Sequence, residues 1–176
     1  MTVLVITGSA RQESHTRRLG AQLVAALPDG VLAPRLTELP YFDQDVEATP
    51  PAAVTRLREQ VAAADTVVFV TPEYNGTIPG LLGNAIDWLS RPYDGRPAVL
   101  RGKPVLAVAA SPGGVGGVRA LVSLRTVLGN AGADVRDARL SVPEVHVRLD
   151  DPSFDLELME LVSSFAVAAV PAVRAA

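Results

Sequence analysis

The sequence predicts an α/β protein, in which a parallel β-sheet is covered by helices on both faces. Three observations predict it. Three short runs, "TVLVIT" (2–7), "TVVFVT" (66–71) and "PVLAVAA" (104–110), are apolar throughout and rich in β-branched residues. Strands of that kind are buried on both faces, as parallel strands are. Segments with the 3.6-residue period of amphipathic helices lie between the runs. Strand-like and helix-like segments alternate along the whole chain, which is the pattern of right-handed βαβ crossovers.

The elements follow in order. After the first strand, "TRRLGAQLVAAL" (16–27) sets Leu19, Leu23, Ala26 and Leu27 on one stripe. "LAPRLTEL" (32–39) partly alternates apolar and polar residues and is expected as an edge strand, a place where Pro34 is tolerated. "YFDQDVEATPP" (41–51) is the long polar connection, expected to cover one edge of a site. "AAVTRLREQVAAA" (52–64) aligns Val54, Leu57 and Val61, and the second apolar strand (66–71) follows. "LLGNAIDWLS" (81–90) groups Leu82, Ala85, Ile86 and Leu89 ahead of the third (104–110). "VRALVSLRTVLGNAG" (118–132) aligns Leu121, Leu124, Leu128 and Ala131, with Arg119 and Arg125 turned away. "DVRDARLSV" (134–142) has the look of a second edge strand, and residues 154–170 of a last helix. Five parallel strands with the second and fifth at the edges give the order 2-1-3-4-5. That is a flavodoxin-like three-layer sandwich, expected as one domain over residues 1–176.

Composition narrows the function. The 176 residues are 48% apolar and 20% charged, with a net charge of −3, so no basic face for nucleic acid is implied. The absence of cysteine excludes disulfides and thiol chemistry. His15 and His146 are far apart in sequence, which argues against a histidine metal site. The N-terminus has no basic segment before its short apolar run, and the longest apolar tract is too short and interrupted to span a bilayer. A soluble, cytoplasmic protein is expected.

In a parallel sheet the C-terminal ends of the strands share one rim, and ligands bind where the strand order reverses, here between the first and third strands. Three loops converge there: "GSARQESHT" (8–16), "PEYNGTIPG" (72–80) and "SPGGVGG" (111–117). In the first, Gly8, Ser9, Arg11, Ser14 and Thr16 lead into a helix N-terminus, and hydroxyls, backbone N–H groups and the positive helix end suit a phosphate. Ser14 also reads as a plain helix cap. Neither the G-x-G-x-x-G fingerprint nor a P-loop is present, so a phosphate would be held by side-chain hydroxyls as well as backbone. That is how flavodoxins hold FMN. In the second loop Pro72 and Pro79 stiffen the ends, Asn75 and Gly76 tolerate positive φ, and Tyr74 adds a rigid ring. Such a loop can offer fixed donors and acceptors to a planar heterocycle; it can also be an ordinary turn. The four glycines of the third loop allow close backbone approach to a ligand, or a loose connection.

"GSARQESHTRRLG", "PEYNGTIPGLLGNAIDWLSRP" and "SPGGVGG", in that order, resemble the NADPH-dependent FMN reductase family, which includes quinone, chromate and azo-dye reductases. The likeness covers nearly the whole chain. It implies a flavodoxin-like fold with non-covalent FMN. Ser9, Arg11, Ser14 and Thr16 would hold the phosphate. Pro72, Glu73, Tyr74, Asn75 and Gly76 would line the ribityl chain and ring, and Ser111, Gly113 and Gly114 would face the pyrimidine edge. Many members have Asn where this chain has Thr16, which removes one hydrogen-bonding group. NADPH or NADH would be the co-substrate, and a small-molecule electron acceptor would complete a ping-pong cycle with no catalytic side chain required. Homodimers or homotetramers are also implied, with Trp88 and residues 89–95 either near an interface or, for Trp88, in the core.

Rival readings are weaker. An electron-carrier flavodoxin tends to be strongly acidic and aromatic-rich, against −3 and 5% here. A regulatory module of the same fold would need other signals: the first strand ends without the acid cluster of a phospho-receiver. No G-x-S-x-G supports a hydrolase.

Overall fold

The computed structural model describes residues 1–27 and 29–151; the helix expected over 154–170 lies outside them. The strands are β1 (Val3–Thr7), β2 (Gly30–Leu32), β3 (Thr66–Thr71), β4 (Pro104–Ala110) and β5 (Asp134–Val142). The helices are α1 (His15–Ala26), α2 (Ala52–Ala63), α3 (Gly80–Leu89), α4 (Val118–Asn130) and a four-residue α5 (Val145–Arg148). All strand pairs are parallel and the sheet order is β2-β1-β3-β4-β5.

Strand alternation divides the core between the faces. Leu4, Ile6, Val67 and Phe69 point to one side, where Leu57 of α2, Leu82 and Ile86 of α3 and Leu121, Leu124 and Leu128 of α4 close over them. Val3, Val5, Val68, Val70, Leu106 and Val108 point to the other, under Leu19 and Leu23 of α1, Val145 of α5 and Leu149 just after it. β1 and β3 are buried at every residue, and β4 at every residue after Pro104, as their unbroken apolar sequences require.

β2 departs from expectation. It spans three residues, and residues 36–38 of the expected 32–39 strand form a 3₁₀ turn instead. Ala33 still donates to the Val5 carbonyl (2.9 Å), but Pro34 has no N–H to give β1, so pairing stops there. The 41–51 connection is fastened to α3: the Phe42 N–H donates to Asn84 Oδ1 (2.7 Å), and the Pro40 carbonyl accepts from Asn84 Nδ2 (2.9 Å) and Trp88 Nε1 (3.0 Å).

Candidate flavin site

At the sheet's C-terminal rim the first and second loops, with Ala110 at the end of β4 and Ser111 and Pro112 of the third loop, enclose a cleft of about 140 Å³. It opens beside the reversal between β1 and β3. Each wall has a local cause.

The first loop leaves β1 with the Gly8 N–H donating to the Val70 carbonyl (2.8 Å). A Cβ on Gly8 would lie 3.0 Å from Leu82 Cδ2, so glycine lets α3 pack against this corner. Ser14 is the N-cap of α1: its Oγ accepts from the Arg17 N–H (3.3 Å) and shares a 2.8 Å hydrogen bond with Thr16 Oγ1. Both hydroxyls are buried against the cleft, so the residue that caps α1 also lines the cleft. Ser9 Oγ accepts from the Arg11 N–H (3.3 Å), while the Arg11 side chain is exposed on the rim. Arg35 braces this loop from outside, donating to Gln12 Oε1 (2.6 Å) and to the Ala10 carbonyl.

The second loop resolves into a two-residue hairpin turn. Tyr74 and Thr77 exchange both backbone hydrogen bonds (3.0 Å each), with φ of 52° at Asn75 and 76° at Gly76. Positive φ at both central positions is the type I′ arrangement that Asn-Gly favours. The turn presents Pro72, Glu73 and Tyr74 to the cleft and carries Asn75 and Gly76 beyond its lining. The same turn recurs past α3, at Tyr93–Arg96, with Asp94 and Gly95 at positive φ.

In the third loop the glycines separate into two pairs. Gly116 and Gly117 have φ of 65° and 80° and no room for a side chain: a Cβ on Gly116 would clash with Ser141 Oγ and sit 2.8 Å from Pro143 N. Gly113 and Gly114 have no such need; a Cβ on Gly114 would meet nothing within 4 Å, and one on Gly113 only Ser111 Oγ at 3.8 Å. Neither lines the cleft; Ser111 does. The loop is held by the segment after β5, where the Val145 N–H donates to the Ser111 carbonyl (3.1 Å) and the Glu144 N–H to the Gly113 carbonyl (3.3 Å).

The structure thus brings Ser9, Arg11, Ser14, Thr16, Pro72, Glu73, Tyr74 and Ser111 to one cleft, with Asn75, Gly76, Gly113 and Gly114 on the same loops around it. It adds His15 and Val145, which no motif marked. His15 opens α1, and its ring centroid lies 6.3 Å from that of His146, in an edge contact with the ring planes inclined at 60°. Burial, then Arg11, Arg18 and His146, push the His15 imidazole below its usual range, against the opposing pull of Asp150. Its Nδ1 is buried with no partner. The fold thus brings together two histidines that are far apart in sequence; among the described residues no three His, Asp or Glu side chains gather to hold an ion. The 41–51 connection supplies none of the cleft's lining, and Trp88 is fully buried within this chain, edge-on to Phe42.

A cleft on this rim, with a hydroxyl-rich helix N-terminus at one end and two backbone-rich loops at the other, also has close relatives. The chain is 44% identical over 131 residues to a quinone reductase of Pseudomonas putida, covering 72% of this chain and 69% of that protein. It is 38% identical over 158 residues to an NAD(P)H-dependent FMN reductase of Pseudomonas aeruginosa, covering 88% and 82%. Among solved structures, FerB, a flavoenzyme NAD(P)H:(acceptor) oxidoreductase of Paracoccus denitrificans, superposes with a TM-score of 0.84 at 28% identity over 96% of both chains. The model of the NADPH-dependent FMN reductases matches residues 1–146, which contain all three loops, and the chain belongs to that family.

Proposed function

We propose that the cleft binds FMN and that the protein is an NAD(P)H-dependent reductase delivering electrons to a small acceptor of the quinone, azo-dye, free-flavin or chromate kind. The observation that carries this reading is the cleft itself. Cap hydroxyls and the first N–H groups of α1 lie at one end, and the Tyr74–Thr77 turn at the other. The residues suit the group. Ser9, Ser14 and Thr16 supply hydroxyls, Arg11 an exposed cation and α1 its positive end, which together match a phosphate monoester. The open space beside Gly113 and Gly114 leaves backbone accessible to a flat heterocycle, and Tyr74 and Pro72 give it a firm wall.

Bound FMN would take hydride from the nicotinamide and pass reducing equivalents to the acceptor. The chain's part is to hold and orient. Donors from Gly113 and Gly114, in a loop fixed by Val145 and Glu144, would face the ring's electron-rich edge. No side chain of the cleft needs to move a proton. Homodimers or homotetramers remain the expected assembly. No helix among the described residues is long and apolar enough to cross a membrane.

The test is a titration of FMN and FAD followed by oxidation of NADPH and NADH against a panel of acceptors. FMN should bind tightly, FAD less well, and turnover should require flavin. Arg11→Ala should weaken FMN about tenfold without unfolding the protein, since a charge-assisted phosphate contact is worth roughly 1.5–3 kcal/mol. No uptake of FMN under any condition would overturn the assignment.

A further inference from the structure

The second and third loops touch through a contact that is set apart from the ligand space. Glu73 lines the cleft, and its carboxylate is engaged by α4. Oε2 accepts from the backbone N–H of Arg119 (3.1 Å) and Ala120 (3.2 Å), in the first turn of α4. Oε1 accepts from Arg119 Nε (2.9 Å) and lies 2.7 Å from Nη2. α4 starts after Gly117 with no side-chain cap of its own. Glu73 therefore caps it from 46 residues upstream. Packing repeats the connection. A Cβ on Gly117 would lie 3.6 Å from Glu73 Cβ, and one on Gly76 would lie 3.8 Å from Arg119 Nε. The Glu73 side chain is 11% exposed and that of Arg119 70%. The guanidinium of Arg119, followed by the two amides, holds the Glu73 carboxyl below its ordinary range despite its burial. It is ionised at neutral pH.

We propose that Glu73 is a positioning residue: its carboxylate fixes the Tyr74–Thr77 turn and the Gly113–Gly117 loop in one relative position, and the flavin site exists in a single geometry because of it. This rests on the FMN reading above. Arg119 lowers the carboxyl's pKa most, but its guanidinium is largely in solvent and free to move, so the backbone amides of α4, fixed by the helix, are the partners that set the carboxylate's position. Glutamine keeps one acceptor but turns an N–H₂ donor toward the guanidinium and the helix start, where only an acceptor fits.

The experiment compares wild type, Glu73→Gln, Arg119→Met and the double variant, using the full chain. FMN affinity is read by fluorescence quenching well below the unfolding temperature, with visible circular dichroism of bound flavin and exchange of the Gly116 amide as companions. Glu73→Gln should weaken FMN at least tenfold, alter the flavin dichroism and speed exchange at Gly116, which donates across the loop to the Gly113 carbonyl (3.2 Å). Arg119→Met should weaken FMN about threefold. The double variant should be no weaker than Glu73→Gln alone, because the arginine's partner is already gone. A purely structural cap predicts another result: a lower melting temperature with FMN affinity and dichroism unchanged, which overturns the proposal. If Glu73→Gln does not fold, Arg119→Met decides by the same readouts, and unchanged FMN affinity there is equally fatal. A wild type that takes up no flavin would overturn the FMN reading and this proposal together; a wild type that binds while the variants bind equally overturns this one alone.

Discussion

His15 shows how a single side chain can sit in a functional cleft with no motif to mark it. Its neighbours are Arg11 on the loop, Arg18 one turn along α1, His146 on α5, and Asp150 beyond it, and the arginines and burial dominate. The sign of the pH effect follows. The folded pKa lies below the unfolded value near 6.5, so the unfolded chain binds more protons between the two. His15's contribution to stability is complete above about pH 6.5 and is lost as pH falls through the lowered folded value. Urea titrations from pH 7.5 to 5 should show wild type losing more stability than His15→Gln. Equal slopes would show that His15 titrates normally. A bound phosphate dianion would oppose the arginines and raise the imidazole's pKa, so saturating FMN should flatten the wild-type slope. Sequence placed Ser14 and Thr16 from their types and their place ahead of a helix. It could not place His15 opposite His146, because that contact joins positions 131 residues apart through the fold.

At the scale of elements, short-range chemistry was legible and long-range fastening was not. Asn75-Gly76 announces a type I′ turn, and Asp94-Gly95 another, because few other pairs accept positive φ twice. Gly76→Val should therefore break the first turn. Left-handed backbone costs a residue with a Cβ roughly 1–2 kcal/mol, more if β-branched. FMN affinity should fall several-fold while far-ultraviolet dichroism stays near wild type; unchanged affinity would show that the turn does not shape the site. The turn acts through a side chain as well as its backbone, since Glu73 reaches α4. Helix C-termini tell the same story. Arg58, fully buried on α2, donates through Nε (3.2 Å) and Nη2 (3.0 Å) to the Trp88 carbonyl at the end of α3 and lies over the Tyr93 ring. Lys103, the chain's only lysine, donates to the Ala62 and Ala64 carbonyls at the end of α2. Cations there complement the helix dipole. Lys103→Met should lower stability by about 1 kcal/mol in urea unfolding without touching FMN affinity. Amphipathic periods revealed the helices themselves; β2 was overextended because alternation in 32–39 outweighed the one donor that Pro34 lacks.

At the scale of the molecule, fold and site are one consequence of the apolar runs. Strands buried on both faces must be parallel and central, parallel central strands must end on one rim, and the rim gathers loops that sequence separates by some hundred residues. That logic made the sheet order and most of the cleft readable before any coordinates. The cleft's two halves are carried by different strands, and a ligand spanning them can be bound only by the folded chain. Ligand binding and global stability are therefore linked. At free FMN one hundred times its dissociation constant, the folded state gains about 2.7 kcal/mol, which for a chain of this size raises the melting temperature by roughly 5–10 °C. Arg11→Ala, with affinity about tenfold weaker, should gain about 1.4 kcal/mol at the same FMN concentration and shift about half as far, while melting like wild type without flavin. Riboflavin, which lacks the phosphate, should move both proteins equally and less. Thermal melts of both proteins with FMN, riboflavin and no ligand test this. If riboflavin stabilises wild type as well as FMN does, the helix N-terminus at Ser14 and Thr16 holds no phosphate.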